Sequence, residues 1–91
     1  MFIKFTGVNV NRCTDDPKKL VKAYGYVTVN SDCIVRYIQH GFTKNGVAVA
    51  EYTHIVLRND SIDVAELKSD IDTLLSAYEV IEHKEEYKNG N

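Results

Sequence analysis

Three histidines, His40, His54 and His83, are the side chains in this chain best suited to carry protons or hold a metal near neutral pH. A metal site needs several ligands at defined spacing, and no C-x-x-C or H-x-x-x-H pattern occurs. No metal and no cofactor is therefore expected. His40 and His54 fall on successive predicted strands, which can bring them together; Cys33 joins them only in a suitable register. The preferred reading is surface or strand-end histidines. The carboxylates Asp63, Glu66, Asp70 and Asp72 read as a capped, solvated helix rather than an acid–base pair. There is no nucleophile elbow, glycine-rich phosphate loop or Walker pattern. An enzyme is not expected. A small ribonuclease-type activity would need a basic groove and an acid–base constellation, and neither shows in the sequence.

The aromatic residues offer a different chemistry. Tyr24, Tyr26, Tyr37 and Tyr52 lie on predicted strands, interleaved with Lys22, Arg36 and Lys44. Such a set can stack bases and contact phosphates of single-stranded nucleic acid. The competing reading places tyrosines at sheet edges, ring packed and hydroxyl wet.

The elements that must position these residues read as an α+β fold: a four-stranded antiparallel β-sheet followed by one C-terminal amphipathic α-helix. Phe2 to Val10 alternates, with Ile3 and Phe5 on one face and Lys4, Thr6, Val8 and Val10 on the other. Asp15-Asp16-Pro17 makes a turn, because the residue before proline disfavours helix. Leu20 to Val29 is a second strand rich in Val and Tyr, and Gly25 within it marks a bulge or close packing. Cys33 to His40 is a third. Asn45-Gly46 supplies the positive φ angles of a hairpin turn into a fourth strand, Val47 towards Leu57. These connections suit antiparallel pairing throughout. Val64, Leu67, Ile71, Leu74, Leu75, Tyr78 and Ile81 recur at three- and four-residue steps, predicting a helix from about Val64 to Glu82. Asp63 is its candidate N-cap and Glu66 the capping-box partner.

At 91 residues the chain is one domain, read as 1–84 with a polar tail over 85–91. Its formal net charge of −2 argues against a broad basic surface. No stretch approaches a membrane span, and Met1-Phe2-Ile3-Lys4-Phe5 does not read as a signal peptide, so a cytoplasmic location is expected. Cys13 and Cys33 are then read as free thiols.

One run of short motifs carries a family resemblance. Lys22-Ala23 leads into Val27-Thr28-Val29, then Ile34-Val35, then Asn45-Gly46-Val47-Ala48-Val49-Ala50. This run resembles the stage V sporulation protein G (SpoVG) family of small bacterial nucleic-acid-binding regulators. Lys4-Phe5-Thr6-Gly7-Val8 is similar to that family's opening strand, and Asp70-Ile71-Asp72 through Ala77-Tyr78-Glu79 to its closing helix. The resemblance implies an α+β fold, a homodimer built through the sheet, and binding of DNA or RNA. The chain departs from the family after Ala50. A basic loop of the S-K-R-T type is replaced by Glu51-Tyr52-Thr53-His54, leaving Arg58 as the nearest guanidinium.

Two functions are expected to compete. In the first, a dimeric sheet sets Lys22, Arg36, Lys44 and Arg58 against phosphates, with Tyr24, Tyr26, Tyr37 and Tyr52 stacking bases. In the second, the chain is a protein-binding adaptor or inhibitor, of the kind phages encode, acting on a host or viral protein.

Overall fold

The computed structural model describes residues 1–75 and, for the backbone, 79–86. All strands join one sheet. In chain order they are β1 (Phe2–Val10), β2 (Val21–Asn30), β3 (Ile34–Lys44), β4 (Val47–Leu57), β5 (Ser61–Val64) and β6 (Glu79–Glu86), with the helix α1 (Lys68–Leu74) between the last two. The spatial order is β2-β1-β5-β4-β3-β6. The first five in that order pair antiparallel, and β6 adds to β3 in parallel.

The β3–β4 hairpin forms and β1 pairs antiparallel with β2, but β2 does not pair with β3 across the short Ser31–Cys33 link, and the β3–β6 pair breaks the antiparallel pairing expected throughout. Asn45 and Gly46 turn at φ 54° and 78°, both in the left-handed region that a two-residue hairpin loop needs. Gly25, at φ 152°, sits beside a bulge where β2 carries one residue, Tyr24, more than β1. Asp16 caps the single turn Pro17–Lys19 by accepting a hydrogen bond from the Lys18 amide.

The C-terminal third departs from the pattern read in the sequence. Among the described residues the sheet has six strands rather than four, and the long helix is replaced by a strand, a seven-residue helix and another strand. Val64 fits a helical stripe, but it ends β5, where Ile62 and Val64 alternate onto the core face. Residues 79–82, including Ile81, lie in β6, and so do Glu85 and Glu86 of the expected tail. Val80-Ile81 is β-branched and suits a strand. The stretch from Ala65 to residue 78 is long enough for the crossover that parallel pairing with β3 requires. Tyr78 and residues 87–91 lie outside the described residues.

The expected capping box is also replaced. Asp63 lies within β5, and Leu67 stands at the N-cap without a side-chain bond. The Lys68 amide instead donates to the Gln39 side-chain oxygen on β3, 2.8 Å away. Glu66 reaches β1, accepting from the Thr6 amide at 2.8 Å and the Thr6 hydroxyl at 2.9 Å. Beside it the Ala65 amide donates to the Thr6 carbonyl. A carboxylate thus continues a strand ladder that backbone pairing makes only at Gly7–Val64.

Two buried clusters lie on opposite faces of the sheet. On the first face Ile3, Phe5, Val29, Ile34, Tyr37, Ile55 and Val64 pack beneath Ile71 and Leu75 of α1. On the second, Val8 and Leu20 pack with Phe42 and Tyr52. The Ile3–Val29 end of β1–β2 therefore meets the Ile34 end of β3, while the Val8–Val21 end meets the Phe42–Ala50 end. The β1–β2 pair crosses the rest of the sheet, pivoting at Gly7–Val64. The three-residue link Ser31–Cys33 requires this, since it joins the end of β2 directly to the start of β3. Among the described residues, no helix is long and apolar enough to cross a membrane.

Candidate nucleic-acid interface

Strand alternation sorts the polar residues. Tyr37 and Ile55 face α1, so Arg36, Ile38, His40 and Phe42 of β3 point to the other face. Their cross-strand partners Val56, His54, Tyr52 and Ala50 share that face, as does Asp63, opposite His54 on β5.

These residues form a continuous row. The Asp63 carboxylate lies 2.7 Å from His54 Nδ1, and both side chains are 32% exposed. A carboxylate can only accept, so Nδ1 carries the proton and Nε2 is left for another partner. His40 meets His54 edge to face, ring centres 6.5 Å apart. It also stacks on Tyr52, at 4.9 Å and 9°. The Arg12 guanidinium, from the loop after β1, donates to the Tyr52 hydroxyl at 2.8 Å. It also lies over the rings of Phe42 and Tyr52, at 5.3 and 5.9 Å. An anion-accepting guanidinium, a phenol, two imidazoles and an orienting carboxylate thus follow one another on one face. No group of three or more His, Cys, Asp or Glu among the described residues is placed to hold a metal ion.

The basic residues expected to bind phosphate do not gather at one point. Arg36 is exposed on the same face as His54, and exposed Arg58 follows β4 with its amide bonded to the Cys33 carbonyl. Both lie at the end where β3 starts. Lys44, half-buried, lies at the hairpin end of β3, and exposed Lys22 follows Val21, which packs against that end. Arg36 and Lys44 are eight residues apart on one strand, roughly 27 Å at about 3.4 Å per residue.

The tyrosines separate into two kinds. Tyr26 is 72% exposed, with the Lys4 ammonium 4.5 Å from its ring centre. Tyr24 is 54% exposed and covers Gly7 so closely that a Cβ there would lie 2.4 Å from its ring. Tyr37 and Tyr52 cannot serve as open stacking platforms. Tyr37 is fully buried under α1, its hydroxyl donating to Asp72 at 2.5 Å, and Tyr52 is 3% exposed between His40, Phe42 and Arg12. Burial, then the Asp72 hydrogen bond and charge, pushes the Tyr37 phenol well above its ordinary pKa.

Arg12, Lys4 and the pairing of Asp63 with His54 escaped the sequence reading. Only strand alternation could have flagged His40 and His54 as face-sharing, and only with the correct register. Comparison of the chain with protein-family models, curated proteins and solved structures finds no match.

Proposed function

We propose that this chain is a small SpoVG-like nucleic-acid-binding regulator of bacterial or phage origin, working in the cytoplasm as a homodimer. The observation that carries the reading is the sheet face opposite α1. Arg36 stands at one end, and the Asp63–His54–His40–Tyr52–Arg12 row leads towards Lys44 at the other. Cations set along a strand rather than in a patch suit an extended single-stranded backbone. Exposed Tyr26, with Lys4 beside it, supplies one stacking position. The motif resemblance from Lys22 to Ala50 supports the same reading, and the missing basic loop is offset in part by Arg12.

Fluorescence anisotropy tests this with labelled single- and double-stranded DNA and RNA at low and near-physiological salt. Saturable binding that weakens as salt rises is the expected result. Reversing both charges, Arg36→Glu with Lys44→Glu, should abolish binding while leaving the melting temperature within a few degrees. Undiminished affinity in that variant excludes this face, and no binding at low salt excludes the function.

A second reading, a protein-binding adaptor, is favoured by the outer edge of β2, which pairs with no strand among the described residues. This strand runs ten residues at the margin of the sheet, with exposed Tyr24 and Tyr26 on it and exposed Phe2 on β1 beside it. Such an edge can accept a strand from a partner protein or from a second copy of the chain.

A further inference from the structure

We infer that the row around His54 is a site for cleaving single-stranded RNA, with His54 as general base, Asp63 as its positioning residue and His40 as the second proton carrier. The inference rests on the nucleic-acid-binding reading and goes beyond it. His54 Nδ1 lies 2.7 Å from the Asp63 carboxylate oxygen; with the proton on Nδ1, the lone pair of the neutral ring is on Nε2. At 32% exposure the pair is reachable by a ligand, yet partly withdrawn from water.

The second imidazole decides the reaction class. His40 and His54 present their rings edge to face, 6.5 Å between centres. In an in-line displacement at phosphorus, the attacking and leaving oxygens lie on opposite sides, each about 3 Å from its proton carrier. Two imidazoles several ångströms apart meet that need, and one alone does not. Arg12, held by Tyr52 next to His40, supplies fixed positive charge for the phosphate oxygens.

The step balances without a co-reactant. His54 Nε2 takes the proton of a ribose 2′-hydroxyl, and that oxygen attacks the adjacent phosphorus. The bond from phosphorus to the 5′-oxygen breaks, its electron pair staying on that oxygen, which takes a proton from the His40 imidazolium. The products are a 2′,3′-cyclic phosphate and a free 5′-hydroxyl, and exchange with solvent restores both rings. DNA lacks the 2′-hydroxyl and cannot follow this route.

The test uses the full chain, purified in parallel with His54→Ala, on end-labelled single-stranded RNA with a chelator present. Fragment ends are read by mass spectrometry. The expected result is cyclic-phosphate ends, a loss of about 100-fold or more in His54→Ala, and no cutting of the same sequence as DNA. If His54→Ala melts early, His54→Gln replaces it and must show the same loss. Asp63→Asn should lower kcat with KM retained, and Asp63→Glu should recover part of the rate. No cleavage, equal cleavage by the His54 variant, or equal cleavage of DNA overturns the inference. Anisotropy with the 2′-O-methyl form of the same RNA separates the two levels. Binding without cleavage of the natural RNA sinks this inference alone, and absence of binding sinks the nucleic-acid reading with it.

Discussion

Tyr37 shows how one side chain can join two layers. Its ring fills the core beneath α1, and its hydroxyl donates to half-buried Asp72 of that helix. Burial first, and the carboxylate second, disfavour the phenolate, so the folded pKa lies above the ordinary value of 10.0. A group whose pKa is raised by folding contributes stability that is complete below its unfolded pKa and is lost above it. Stability should therefore fall as pH rises from about 10, because the unfolded chain then releases a proton that the folded chain keeps. Tyr37→Phe should cost about 1.5–3 kcal/mol at neutral pH, through the lost bond to a charged acceptor. It should also flatten the alkaline decline. Urea unfolding of both proteins between pH 8 and pH 11 measures both effects; an unchanged alkaline slope would show that Tyr37 is not its source.

At the scale of elements, the weakest seam is that between β1 and β5. Backbone pairing there is confined to Gly7 and Val64, and the Ala65 amide and Glu66 carboxylate extend it along Thr6. Glu66 does for Thr6 what a backbone carbonyl does inside a sheet. Glu66→Ala leaves the Thr6 amide without its acceptor and should cost about 2 kcal/mol, since hydrogen bonds to charged groups are worth about 1.5–3 kcal/mol. Glu66→Gln keeps an acceptor and should cost less. Hydrogen exchange at the Thr6 amide should accelerate in the alanine variant before global unfolding; protection equal to that of the parent chain would mean the seam is held elsewhere. The seam is also where α1 begins. The helix is only two turns long, so its place comes from Ile71 and Leu75 in the core and from Gln39 on the Lys68 amide, not from intrinsic helix stability.

For the whole molecule, the crossing of β1–β2 over the remaining strands leaves β2 at the margin of the sheet formed by the described residues. Thr6 turns its amide and carbonyl towards Ala65 and Glu66, away from β2, so its partner Tyr26 turns its own outward. Thr28, opposite Lys4, has the same parity and also presents its amide to the open edge. Proline is tolerated in a strand at such a position. Thr28→Pro should leave monomer stability nearly unchanged and abolish pairing along that edge. If the dimer forms through β2, light scattering during gel filtration will show the parent chain as a dimer and the variant as a monomer. A variant that remains dimeric moves the interface elsewhere.

Much of this architecture could be read from residue order alone. Alternation placed Ile3 and Phe5 opposite Val8 and Val10, Asn45-Gly46 fixed the β3–β4 turn, and Gly25 marked a bulge. These are local effects, set by strand periodicity and by the φ angles particular residues allow. The C-terminal third carries a helical stripe from Val64 to Ile81 yet ends β5 and forms β6, because Val64 completes a strand beside β4 and β6 depends on the edge of β3. The approach of His40 to His54 follows from their successive strands, but that they share a face with Tyr52 does not, for a sharper reason. Lys44 faces Val47 across the turn; continued without interruption, that register would set His40 opposite Glu51 and put His54 on the other face. One extra residue in β4, Val49, shifts the pairing so that Phe42 meets Ala50 and His40 meets Tyr52. That bulge brings His40, His54 and Tyr52 to one face, and the fifth strand then sets Asp63 beside His54. A bulge is chosen by packing between strands, here Val49 against the cluster of Val8, Leu20, Phe42 and Tyr52, so only the tertiary structure could decide which histidines share a face.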